Sequence, residues 1–208
     1  MKKITIFNTP ILRLFFKILS LAVLKVSGWK LTGCIPEEKK MVIIFAPHTS
    51  NWDMPLAIFL AFARNLNPTW LGKNGIFRFP FKHIMKWLGG IPVYRSERKN
   101  MVEQISRKIT EREKILLALA PEGTRKRVDH WKSGFYHIAL NAEIPILCAY
   151  LDYHRKEAGF GPMVMPTGAQ DADIAPIKEF YSQKSGRFPD KFNKKGIRLR
   201  GKNNTRCR

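Results

Sequence analysis

Short apolar runs closed by polar turns limit what this chain can fold into. Met41 to Pro47 is rich in β-branched residues and ends on proline, Ile115 to Ala120 runs into Pro121, and Ile144 to Leu151 is another such run. Runs of this length, bounded by turn residues, read as buried strands. Trp29 to Cys34, Trp70 to Lys73 and Gly90 to Arg95 read as shorter strands. Helical signals lie between them: Met54 to Ala63 with Pro55 in its first turn, Asn100 to Glu113 with charges on one side, and Ser133 to Ala142. Alternating strands and helices favour an α/β sheet flanked by helices. At 208 residues, 45% of them hydrophobic, the chain reads as one domain with a substantial core.

Three of the strands end on chemically loaded turns. The first delivers His48, with Asp53 five residues on; the second ends on Arg95; the third runs into Glu122-Gly-Thr-Arg125. Carboxyl ends of strands in an open α/β sheet converge on one cleft. A histidine there, with a carboxylate on the same turn to hold its imidazole, has the make-up of a general base and its orienter. Arginine suits phosphate because its planar fork makes charge-assisted bidentate bonds. Glu122 would hold the Arg125 guanidinium or a substrate hydroxyl, and Gly123 permits close approach or a positive φ. Each motif alone also reads as a plain turn, cap or surface ion pair; their joint occurrence at strand ends is harder to attribute to chance. Lys73, at a strand end between the first two motifs, is a further candidate and equally a solvated lysine. His83, His130, His137 and His154 have no acid at a recognisable spacing and read as surface or core histidines.

Charge is uneven. The formal net charge is +21; residues 1–30 hold six Lys or Arg and no acid, and 184–208 hold ten against Asp190 alone. A folded core with two basic ends seeks an anionic surface, nucleic acid or lipid. Residues 11–26 read as an amphipathic helix with Arg13, Lys17 and Ser20 along one side, too interrupted to span a bilayer. The expectation is an interfacial helix with that basic stripe toward headgroups; packing on the domain is the alternative. Lys17 and Lys25 also interrupt any signal-peptide core. Phe77, Arg78, Phe79, Phe81, Lys82, His83, Lys86 and Trp87 interleave aromatic and basic residues, as stacking on nucleic acid or seating in a headgroup layer would require. No helix-turn-helix, zinc-finger or RNA-recognition signature accompanies them, so nucleic acid is not expected as a partner. Cys34, Cys148 and Cys207 are odd in number and widely spaced, which suggests a reducing compartment and no structural zinc. The organisation expected is a membrane-associated segment 1–30, a catalytic domain 31–183 and a mobile basic tail 184–208.

These blocks resemble the glycerolipid acyltransferase family, which includes 1-acylglycerol-3-phosphate and lysophospholipid acyltransferases. His48 to Asp53 matches its His-x4-Asp block, Gly90-Ile-Pro-Val-Tyr-Arg95 its glycine-led strand, Glu122-Gly123-Thr124-Arg125 its Glu-Gly-Thr-Arg block, and Ile144-Pro145-Ile146 its last. The His-Thr-Ser-Asn-Trp-Asp form and Trp131-Lys-Ser-Gly134-Phe look like a branch of small, single-domain bacterial members. Pro47, Pro92 and Tyr94 depart from the commoner pattern and bear on the acceptor. The resemblance implies a central mixed sheet flanked by helices. It implies acyl transfer from acyl-CoA or acyl carrier protein to a lysolipid hydroxyl on the cytoplasmic face of the inner membrane, peripheral or monotopic. His48 would be the base, Asp53 its orienter, and Arg95, Glu122, Gly123, Thr124, Arg125 and Lys73 the substrate-binding residues. No metal or cofactor is implied. A thioesterase on the same fold is a rival reading; the absence of Gly-x-Ser-x-Gly argues against a serine-esterase mechanism.

Overall fold

The computed structural model describes residues 5–93 and 98–199, with the backbone alone for 98–100. Seven strands form one sheet: β1 (Lys30–Thr32), β2 (Lys40–Phe45), β3 (Pro68–Lys73), β4 (Gly90–Val93), β5 (Ile115–Leu119), β6 (Ile146–Asp152) and β7 (Glu157–Val164). Their order is β1-β7-β6-β2-β5-β3-β4. Only the β6–β7 pair is antiparallel, so the sheet is mixed, as the resemblance implies. β3, β4, β5, β2 and β6 run the same way and present their carboxyl ends along one edge.

The helices are α1 (Pro10–Val26), α2 (Asp53–Ala63), α3 (Lys82–Trp87), α4 (Arg98–Thr110), α5 (Gly134–Asn141) and α6 (Gln170–Ser182). Strand alternation sorts the core into two layers. Val42 and Ile44 of β2 join Leu117 and Ile146 beneath Ile109 of α4, Ile138 of α5 and Ile177 of α6. Met41 and Ile43 face the other way, with Leu116, Leu147 and Leu60 of α2. Both faces of the central strands are therefore covered, which is why they read as unbroken apolar runs.

α1 forms where the sequence places it but lies the other way round. Ser20 and Leu24 are fully buried, Phe16 stacks on Phe62 of α2 at 5.1 Å, and Arg13 donates to the Asn65 carbonyl at 3.1 Å. The stripe of Arg13, Lys17 and Ser20 thus turns toward the domain, not toward headgroups. Arg13 satisfies a carbonyl just beyond the end of α2. Ile11, Leu14, Phe15, Ile18, Leu19, Leu21 and Val26 stand exposed on the outer side. Among the described residues no helix is long and apolar enough to cross a membrane.

The described part of the basic C-terminal segment is not a free tail. Phe192, Ile197 and Leu199 are buried in the α4–α5–α6 core, and Leu199 bridges to Trp131. Residues 185–199 form a strap across the carboxyl edge of the sheet. Tyr153 N–H donates to Ser185 O at 2.9 Å, Phe188 N–H to Thr49 Oγ1 at 3.3 Å, Arg127 to Asp190 O at 3.1 Å, and Asn193 to Val128 O at 3.2 Å. A few well-spaced apolar side chains anchor it, too far apart to show a period.

Candidate active site

β2 ends at a cis Ala46–Pro47 bond, and the chain then turns sharply into α2. Asp53 is the first residue of α2, fully buried, and its carboxylate folds back over that turn. Its Oδ2 accepts from Thr49 N–H at 2.8 Å and Ser50 N–H at 2.9 Å, and lies 3.1 Å from His48 Nδ1. Its Oδ1 accepts from the Tyr153 hydroxyl at 2.7 Å. A carboxylate in the first turn of a helix also sits favourably in the helix dipole. The His48 side chain keeps 25% exposure while Asp53 has none. With Nδ1 engaged by Asp53, Nε2 is the nitrogen left for chemistry.

The neighbouring parallel strand β5 brings the second motif. Glu122 is buried, and its Oε1 accepts the backbone N–H of His48 at 2.8 Å. Burial pushes this carboxyl up from 4.5 to about 8; the His48 N–H opposes the rise and the Asp53 charge adds to it. Glu122 therefore braces the His48 turn, and no Glu122–Arg125 ion pair forms. Arg125 is exposed, and Thr124 Oγ1 accepts from Lys126 N–H at 3.3 Å. Gly123 has φ +64°, a conformation that favours glycine. Lys73 is exposed at the carboxyl end of β3, on the same edge but with no bond to the His48 turn. β4 runs as far as Val93, and Arg95 lies outside the described residues.

Two contributors have no signal in the sequence. Tyr153 leaves β6 beside Asp53, and burial with its bond to Asp53 raises the phenol's pKa. Thr49 ties the His48 turn to the strap through Phe188 N–H. Among the described residues no cluster of three His, Cys, Asp or Glu is placed to hold a metal ion.

The chain thus sets a His–Asp pair at the carboxyl end of a central strand of an α/β sheet, braced by a glutamate from the next strand. The family model described as Acyltransferase matches residues 30–152, and the chain belongs to that family. This bears out the resemblance carried by the motifs. Among solved structures, the 1-acyl-sn-glycerophosphate acyltransferase PlsC from Thermotoga maritima shares the fold, at TM-score 0.53 and 13% identity over 78% of this chain and 73% of that one. No curated protein matches the chain.

Proposed function

We propose that the protein transfers a fatty acyl group from a thioester donor, acyl-CoA or acyl carrier protein, to a hydroxyl of a lysophospholipid or related glycerolipid at a membrane surface. The observation that carries this reading is the buried Asp53 carboxylate holding His48 by Nδ1, with the imidazole still partly exposed. A hydroxyl is a poor nucleophile until a base takes its proton. His48 Nε2 takes that proton as the oxygen attacks the thioester carbonyl; Asp53 stabilises the resulting imidazolium. The tetrahedral intermediate collapses with cleavage of the C–S bond, and the imidazolium returns the proton to the departing thiolate. Arg95, Arg125 and Lys73 would hold the acceptor's headgroup near this edge, with Thr124 lining the site. Glu122 and Gly123 shape the turn between them.

The outer face of α1 supports the membrane setting. Exposed Leu14, Phe15 and Ile18 suit an acyl-chain layer, and Lys25 beside them suits its headgroups. Ile76, Phe79, Phe81, Ile84 and Trp87 add a second exposed apolar surface around α3. An open groove of about 490 Å³ lies at the end of α1, lined by Leu21, Leu24, Trp29 and Leu31. Lys25 and Lys30 also line it, and Trp29 packs edge-on against Tyr153 at 5.1 Å, so the groove stands one aromatic pair from Asp53. The cytoplasmic face of the inner membrane, where both donors occur, is the setting this reading implies.

The test is thiol release from long-chain acyl-CoA and acyl carrier protein, with and without a panel of lysolipids, in wild type and His48→Ala. Acceptor-dependent release, lost in the variant, supports transfer. Equal release without acceptor makes the enzyme a hydrolase. Release undiminished in His48→Ala removes the mechanism.

A further inference from the structure

The strap brings one arginine to the catalytic turn. Gly186 packs against that turn: a Cβ there would come within 2.6 Å of Thr49 Oγ1 and 3.2 Å of Pro47 Cβ. Ser185 accepts from Tyr153 N–H, and Phe188 N–H donates to Thr49 Oγ1. The backbone on both sides of Arg187 is thereby fixed to residues flanking His48 and Asp53. The Arg187 side chain is exposed, and its guanidinium carbon lies 5.7 Å from the centre of the Trp52 ring and 6.0 Å from that of Phe188. Trp52 immediately precedes Asp53 and is itself 58% exposed. Arg187 is close enough to Tyr153 for its charge to oppose the rise in that phenol's pKa.

What this guanidinium lacks is a bonding partner. Arg127, on the same edge, donates from one guanidinium nitrogen to the Asp190 carbonyl. Among the described residues Arg187 makes no hydrogen bond and no ion pair, and the nearby Asp53 carboxylate is already filled by four donors. An aromatic ring beside a guanidinium limits its motion and leaves its N–H groups free for an oxyanion. Phosphate suits them best, because its oxygens match the fork two at a time.

We propose that Arg187, held beside Trp52 by the strap, binds a phosphate group of the substrate next to the His48–Asp53 pair. This rests on the acyl-transfer reading for its chemistry, though not for its binding. The phosphate belongs either to the acceptor headgroup or to the donor's coenzyme, and the experiment separates the two. Arg187 is a binding residue here, acting on substrate affinity while His48 sets the rate of the chemical step.

The experiment compares wild type, Arg187→Gln and Arg187→Lys, all checked for folding by circular dichroism. KM and kcat are measured with lysophosphatidate and with monoacylglycerol as acceptors, and with acyl-CoA and acyl-N-acetylcysteamine as donors. Arg187→Gln is expected to raise KM about tenfold or more for one phosphate-bearing substrate, with kcat nearly unchanged and its phosphate-free counterpart unaffected. Arg187→Lys recovers part of the loss as a point charge. The KM that moves names the source of the phosphate. Equal changes with and without phosphate, or none, overturn the proposal. Binding without turnover is read from tryptophan fluorescence on adding lysophosphatidate or free coenzyme A, with Trp52→Phe reporting which ring responds. If wild type transfers no acyl group yet quenching depends on Arg187, the acyl-transfer reading falls and the phosphate site stands. If transfer proceeds while KM and quenching ignore Arg187→Gln, the phosphate site falls and the reading stands.

Discussion

The turn after β2 and the outer side of α1 are opposite solutions to burial. At the turn, a charged group is taken out of water, and four donors within 3.1 Å converge on the Asp53 carboxylate to offset its lost hydration. On α1, large apolar side chains stand in solvent with nothing over them, Ile11 at 84% and Val26 at 89% exposure. The first arrangement is complete within the chain. The second is incomplete without another surface, since isolated monomers rarely leave so continuous an apolar strip uncovered. The proposed acyl transfer at a lipid surface would use both: the finished turn for chemistry and the uncovered strip for the surface.

Substitutions at the two places should fail in different ways. His48→Ala should lower kcat by ~10²–10⁴-fold, the usual contribution of a positioned general base, while the melting curve stays within a degree or two. Charging the outer face of α1, as Leu14→Asp with Ile18→Asp, should weaken partition into anionic vesicles by about a hundredfold and leave turnover of a short-chain, water-soluble acceptor unchanged. Vesicle binding indifferent to these changes would break the comparison. Glu122 sharpens it through pH. Its carboxyl is raised from 4.5 to about 8 in the folded protein. The folded state therefore holds this proton more tightly than the unfolded chain does. That contribution to stability is fully present below pH 4.5 and is lost as pH rises through about 8. Chemical denaturation across this range should show a decline on the order of a few kcal/mol, flattened in Glu122→Gln, which keeps an acceptor for His48 N–H. A slope unchanged in that variant would mean another group carries it. The smallest effect is expected from Tyr153→Phe, which removes one donor from Asp53: about tenfold in kcat and about 1 kcal/mol in stability. A kcat for Tyr153→Phe equal to wild type would leave the three bonds to Oδ2 sufficient.

How much of this is legible in the sequence depends on the distance over which a feature is built. β2, β5 and β6 are legible because each is buried on both faces and needs only an apolar run. His48, Asp53 and Glu122 are legible because strand ends concentrate function. Tyr153 is not, since its partner lies 100 positions away and a lone tyrosine after a strand carries no pattern. β7 and α6 escape for a different reason: two glycines and Pro162 interrupt the strand, and Pro176 sits inside the helix. α1 is visible as a helix with two faces, yet periodicity does not say which face packs. Arg13 reaching a carbonyl and the burial of Ser20 decide it, and both are tertiary facts.

The strap has a consequence in time. Phe188 meets Thr49 across 139 positions of chain. A growing polypeptide carries the His48–Asp53 pair early, but the wall that Ser185, Gly186 and Phe188 build against it emerges much later in the chain. Until then the His48 turn lacks one of its sides. Chains that have not yet reached the strap would thus carry the His48–Asp53 pair without its finished enclosure.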